Sequence, residues 1–187
     1  MRVLIYSQSV DPETVEYIKV CVNELEKYKA KLYITDCFNK INNDKIKFPS
    51  KTTIIKKISK TNKIDYLICF GGDGTMLKAA HLVNKLNIPI TGINTGRLGF
   101  LANIPKQNIS DLIISLRDKN FHISPRCIIK VYTSPKIKSR TSKFAINEVS
   151  ITEKNHLSLI SIKAYVNGNF LNTYWGDGLI VSTPTGS

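Results

Sequence analysis

No stretch of this sequence stays apolar for the ~20 residues that a membrane-crossing helix needs. The opening MRVLIYSQSVDPET also lacks the long apolar core of a secretory leader, so it reads as a first β-strand in a cytoplasmic chain. The four cysteines (Cys21, Cys37, Cys69, Cys127) form no C-x-x-C pair, and His81, His122 and His156 show no ligand spacing. That argues against a zinc site and for four buried or partly buried thiols in a reducing compartment. Acidic residues are scarce: 14 Asp and Glu face 27 Lys and Arg, for a formal net charge of +13. A polyanionic partner is one source of such an excess, either a nucleotide phosphate or a nucleic acid. The lysines are dispersed, densest over residues 40–63 and not interleaved with aromatics. The favoured reading is therefore a compositional bias on solvated faces.

What is present falls into two styles. Residues 2–7 are a short apolar strand. Asp11, Pro12 and Glu13 then supply an N-cap, a first helical residue and a carboxylate at the positive end of a helix. Val15, Ile18, Val22 and Leu25 recur at helical spacing, and KLYIT is a second strand. Residues 37–63 are polar, basic and broken by Asn42, Asn43 and Pro49. They read as a loop with one short helix or strand near residues 53–59. DYLICF (65–70) is uniformly apolar, as a buried parallel strand should be. A helix over residues 75–86, a strand over 88–93, a second glycine loop and a helix over 109–119 follow. This β-α alternation predicts an α/β fold with an open parallel sheet covered on both faces. Beyond about His122 the strands alternate apolar and polar residues with no helix between them, and Asn167-Gly168 is a hairpin turn signal. The expected organisation is a Rossmann-like domain over residues 1–124. An antiparallel β domain, incomplete here, follows over residues 125–187.

Between the buried strand and the helix lies FGGDGT, residues 70–75. Glycines there let backbone approach a ligand closely, and N–H groups at a helix start favour phosphate. The loop is neither a Walker loop, since no G-K-[ST] follows, nor a G-x-G-x-x-G. A lone carboxylate, Asp73, beside phosphate would repel it unless it binds a metal or accepts a proton from an attacking hydroxyl. The plainer alternative is that Asp73 only caps its helix. Lys78, one turn further, either neutralises phosphate or is an ordinary exposed lysine.

Four segments, GGDGT (71–75), INTGRLGFL (93–101), INEVSI (146–151) and DGLIVSTPTGS (177–187), together resemble the bacterial NAD kinases in order and spacing. GGDGT alone also occurs in lipid kinases of the diacylglycerol and sphingosine type. The resemblance implies phosphorylation of the 2′-hydroxyl of the adenosine ribose of NAD by ATP with Mg²⁺, or by polyphosphate. It implies that Asp73 activates that hydroxyl, and that Gly71, Gly72, Gly74, Thr75 and Lys78 form the phosphate pocket. Asn94, Gly96, Arg97 and Leu98 would line the site, and Phe100 would stack on the adenine. Asn147 and Glu148 would hold the ribose, while Asp177 and Thr185 would contact the nucleotide from the second domain. Read from the residues alone, Phe100 fits a core position equally well, Asn147-Glu148 a polar strand end, and Asp177 a plain turn. The family pattern continues past Ser187, so the resemblance makes the chain an N-terminal portion with little activity by itself. It further implies a homodimer or homotetramer at full length, with nucleotides as partners and neither nucleic acid nor membrane.

Overall fold

Val3, Leu4 and Ile5 are all fully buried, which consecutive strand residues achieve only when both faces of their sheet are covered. They belong to β1 (Arg2–Ser7) of a computed structural model that describes residues 1–83, 86–96, 99–135, 143–153 and 158–186. The chain divides into two units, Met1–Ile123 and Ser124–Ser187.

In the first unit β1 is followed by α1 (Pro12–Lys27), β2 (Lys31–Thr35), α2 (Asp36–Asn42) and β3 (Thr53–Ile55). Then come β4 (Tyr66–Phe70), α3 (Asp73–Leu82), β5 (Ile90–Asn94), β6 (Ile104–Pro105) and α4 (Ile109–Asp118). The strands form one six-stranded sheet in the order β3-β2-β1-β4-β5-β6, every neighbouring pair parallel. Alternate side chains serve opposite faces. Val3, Ile5, Ile68 and Phe70 pack with Ile18, Cys21, Val22 and Leu25 of α1 and with Ile109, Ile113 and Leu116 of α4. Leu4, Leu67 and Cys69 pack on the other face with Ala79 and Val83 from α3 and its end. The expected parallel sheet with helices on both faces is what forms.

α1 starts where the sequence placed it. Asp11 Oδ1 accepts the Thr14 N–H at 2.9 Å and Pro12 opens the first turn. Two elements depart from expectation. Residues 36–42 form a helix, capped by Thr35 Oγ1, which accepts the Phe38 N–H at 3.1 Å. Its apolar contribution is essentially Phe38, which is fully buried, so no periodic pattern announces it. β6 is two residues long and exists by pairing Ile104 with Ile93. Of the cysteines, Cys21 and Cys69 are buried but Cys37 and Cys127 are exposed, and all four are free thiols. The expectation of four sheltered thiols is corrected to two.

The second unit contains β7 (Ile129–Lys130), β8 (Phe144–Ala145), β9 (Glu148–Thr152), β10 (Ile160–Val166), β11 (Asn169–Gly176) and β12 (Gly178–Ser182). They form antiparallel pairs: β7 with β8, β9 with β12, and β10 with β11. The β10–β11 hairpin turns on Asn167 and Gly168, at φ 52° and 84°, the positive values a tight two-residue turn requires. Among the described residues of this unit only Thr183 is buried.

Candidate active site

β1 and β4 are neighbours, yet the chain leaves β1 towards β2 and leaves β4 towards β5. Such a reversal opens a crevice outside the carboxyl ends of the two strands, the place where open α/β sheets bind ligands. Gln8 is the first residue beyond β1, and Gly71, Gly72 and Asp73 are the first beyond β4. The glycine loop therefore lies at the one point of the sheet built for a ligand.

The loop has a tight side and an open side. Gly71 sits at φ 142°, and a Cβ there would approach Thr75 Cβ to 2.9 Å, so the chain itself requires glycine. Gly72, Gly74 and Gly96 are different. A Cβ at any of them would meet nothing within 4 Å, and none has a positive φ. Nothing within the fold demands glycine at these three positions, and their backbone lies open to close approach. Thr75 is buried and its N–H returns to the Gly72 carbonyl at 2.9 Å, which fixes the turn into α3.

Asp73 does not cap α3. The N-cap is Gly72, with no side-chain cap bond. Its carboxylate instead reaches across to the segment after β5. Oδ2 accepts the Phe100 N–H at 2.9 Å, and Oδ1 accepts those of Leu101 and Ala102 at 2.9 and 3.0 Å. Partial burial pushes the carboxyl up, but the three N–H donors together outweigh it and hold Asp73 below the ordinary carboxylate value. Gly99 makes this clasp possible, because a Cβ there would come within 2.6 Å of Asp73 Cγ. A carboxylate offers about four lone-pair sites. Three are taken, and the remaining one lies on Oδ2.

Asn94 completes the second loop. Its Oδ1 accepts the Gly96 N–H at 2.8 Å and its Nδ2 donates to the Ala102 carbonyl at 3.1 Å. Phe100 is 93% exposed, so the core alternative for it is excluded. Lys78 is exposed but not idle: its Nζ donates to Gln8 Oε1 at 2.7 Å. Arg97 and Leu98 lie outside the described residues. The first unit thus brings together Gly71, Gly72, Asp73, Gly74, Thr75 and Lys78 on α3 and its loop, and Asn94, Gly96 and Phe100 on the loop after β5. Among the described residues no cluster of three or more His, Cys, Asp or Glu is placed to hold a metal. A hollow lies elsewhere in this unit, between α2 and β3, lined by Ile34, Asn42, Phe48 and Thr52. It contains none of the glycine loops and falls away from the strand reversal, so it is not the candidate site.

The second unit gathers its candidates less completely. Glu148 opens β9 and Asn147 stands just before it, its carbonyl accepting the Thr183 N–H at 2.8 Å. The Thr183 hydroxyl donates to the Ile146 carbonyl and accepts the Thr185 N–H at 3.1 Å. A Cβ at Gly186 would come within 2.7 Å of the Asn147 carbonyl oxygen, so the TPTG turn packs directly on the Asn-Glu pair. Asn147 Oδ1 is buried with no hydrogen-bond partner, a polar atom awaiting a donor. Asp177 is not part of this group. Gly178 pairs with Thr152 and Ser182 with Glu148, which places Asp177 beyond the opposite end of the ladder, roughly 17 Å along the strands from Glu148.

Family models match both units of the chain. The family model for the ATP-NAD kinase N-terminal domain matches residues 7–121, and that for the ATP-NAD kinase C-terminal domain matches residues 146–187. The chain belongs to the NAD kinase family. All of it aligns at 37% identity with the NAD kinase of Christiangramia forsetii, covering 64% of that protein. With the NAD kinase of Flavobacterium psychrophilum it is 46% identical over 124 residues, 66% of this chain and 42% of that one. Its fold matches the crystal structure of yeast NADH kinase complexed with NADH at TM-score 0.78 and 20% identity, over 99% of this chain and 58% of that one. The chain spans slightly under two thirds of the length of the curated relatives that it matches from end to end. Family membership leaves the lipid-kinase and nucleic-acid readings without support. No helix among the described residues is long and apolar enough to cross a membrane.

Four participants escaped the sequence reading: Gln8, Gly99, the N–H groups of residues 100–102, and Thr183. Gln8 carries no motif and becomes conspicuous only once β1 and β4 are known to be neighbours.

Proposed function

We propose that the full-length protein containing this chain is an NAD kinase that phosphorylates the 2′-hydroxyl of the adenosine ribose of NAD. The observation that carries the reading is Asp73 at the β1/β4 reversal. Its carboxylate is aimed by three backbone N–H groups and keeps one lone pair, beside three glycines that the fold itself does not require. Because its donors hold it below the ordinary carboxylate range, Asp73 is ionised at neutral pH. The ribose hydroxyl donates to the open lone pair of Oδ2, which orients the oxygen. As that oxygen bonds the terminal phosphorus of ATP, the bond from phosphorus to the bridging oxygen breaks and ADP leaves. The hydroxyl proton passes late to Asp73, as in other phosphoryl transfers where positioning dominates.

Gly72 and Gly74 present open backbone to the phosphates, Gly71 and Thr75 shape the turn that carries them, and Lys78 supplies charge. Asn94 and Gly96, with Arg97 and Leu98, shape the wall on which Phe100 offers an uncovered ring to the adenine. Asn147 Oδ1, buried and unpaired, suits a ribose hydroxyl, with Glu148 and Thr185 beside it and Asp177 reaching the nucleotide from elsewhere. Mg²⁺, which would neutralise the phosphate charge, would be carried mainly by the phosphates, since among the described residues no cluster of acidic side chains is placed to hold it. Residues 1–124 serve as the nucleotide-binding domain and 125–187 as the beginning of the NAD-binding one. The assembly is a cytoplasmic homo-oligomer, with ATP or polyphosphate as donor. The test is to incubate the full-length protein with NAD, ATP and Mg²⁺ and to locate the added phosphate by phosphorus NMR. Phosphate on the 2′-oxygen is expected. Phosphate elsewhere, or none, would overturn the reading.

A further inference from the structure

Gln8 belongs to none of the four motifs, yet it is the only described side chain hydrogen-bonded to both Gly74 and Lys78. Its Nε2 donates to the Gly74 carbonyl at 3.1 Å and its Oε1 accepts from Lys78 Nζ at 2.7 Å. A carbonyl can only accept and an ammonium can only donate, so these partners fix which way the amide faces. Gly74 and Lys78 stand four residues apart on α3, on one face of the helix. Gln8 comes from the neighbouring strand end, so the bridge spans the crevice between β1 and β4.

The neutrality of the bridge is what matters. Lys27, Lys40 and Lys106 are each held by a carboxylate, Glu24, Asp36 and Glu13 respectively, which cancels the charge it orders. Lys78 is ordered by an amide and keeps its charge whole. A lysine on a helix surface otherwise samples many rotamers and acts as a diffuse charge. Tethered, its ammonium is held by the same amide that bonds the Gly74 carbonyl of the glycine loop. We propose that Gln8 is a positioning residue that holds the Lys78 ammonium, uncompensated, over the glycine loop to take a phosphate oxygen of the condensed-phosphate donor. This rests on the kinase reading above.

The test uses the full-length protein and the variants Gln8→Ala, Gln8→Glu, Lys78→Met and the Gln8→Ala/Lys78→Met pair. Gln8→Ala is expected to raise KM for ATP about five-fold, the order of one ordinary net hydrogen bond. KM for NAD and kcat should stay within about two-fold of wild type. Gln8→Glu, which puts a carboxylate on the lysine, raises KM for ATP further. Inorganic triphosphate, as a competitor against ATP, weakens by the same factor as ATP in Gln8→Ala. In the Lys78→Met background Gln8→Ala adds nothing, which a purely structural role would not produce. An unmoved KM for ATP in Gln8→Ala would overturn the proposal, as would an undiminished effect of Gln8→Ala in the Lys78→Met background, or unchanged inhibition by triphosphate. A wild-type protein that forms no NADP removes the kinase reading first, and this one with it; an active wild type with an unmoved Gln8→Ala removes only this one.

Discussion

Asp73 Oδ1 accepts the backbone N–H of Ala102 at 3.0 Å, joining residues 29 apart and tying the end of β4 to the segment that follows β5. The same carboxylate takes Phe100 and Leu101. One side chain thus organises the second glycine loop while being the group best placed for chemistry.

Asp73→Asn should therefore weaken the fold as well as the reaction. The amide keeps one acceptor oxygen but turns an NH₂ towards backbone N–H donors. A loss of about 1–2 kcal/mol in urea-unfolding stability is expected, discounted for the partial exposure of the site. Unchanged stability would mean that the three bonds contribute nothing net.

The clasp has a pH signature. A carboxyl held below its unfolded value stabilises the fold fully above that unfolded value, here 3.8, and loses this contribution as pH falls through the lower folded value. The stability gap between wild type and Asp73→Asn should be flat from neutral pH down to about pH 4. Below that it should shrink. Urea midpoints of both proteins across this range measure it, and a gap that grows on acidification would refute the assignment.

The glycines separate structure from ligand. Gly99→Ala drives a methyl into the Asp73 carboxylate, so a displaced loop and an activity loss of at least about ten-fold are expected, comparable to misplacing a catalytic group. Gly72→Ala meets empty space and should leave stability within about 0.5 kcal/mol. Its effect should fall on KM for ATP. If Gly72→Ala kinetics match wild type, no ligand approaches that backbone.

Phe100 is 93% exposed, so Phe100→Ala should barely alter stability. Base–aromatic stacking is worth about 1–3 kcal/mol, so KM for NAD should rise roughly ten-fold. An unmoved KM for NAD would remove Phe100 from the adenine site.

The parallel sheet was legible because β4 is uniformly apolar, β1 carries the apolar run Val3-Leu4-Ile5, and α1 carries its cap, its proline and its 3.6-residue periodicity in plain sight. α2 was not, since burial of a single ring, Phe38, leaves no pattern. The carboxylate at the strand reversal was also legible as a candidate, because Asp73 stands alone among glycines. Its partners were not: Phe100, Leu101 and Ala102 contribute backbone N–H groups, which every residue except proline owns and no motif can mark. Gln8 was hidden for another reason. Its importance depends on β1 and β4 being neighbours, a property of topology that two adjacent letters cannot express. Asp177 shows the reverse case, a residue beside a motif that the β9–β12 register carries away from Asn147 and Glu148.

The most direct test is a single-turnover measurement of NADP formation by the full-length protein and its Asp73→Asn variant, with NAD and ATP saturating and both proteins folded at the assay temperature. If Asp73 orients the ribose hydroxyl and takes its proton, the variant loses about 10² or more of the wild-type rate. A variant within about three-fold of wild type would show that Asp73 only holds the loop and that the chemistry depends on another group.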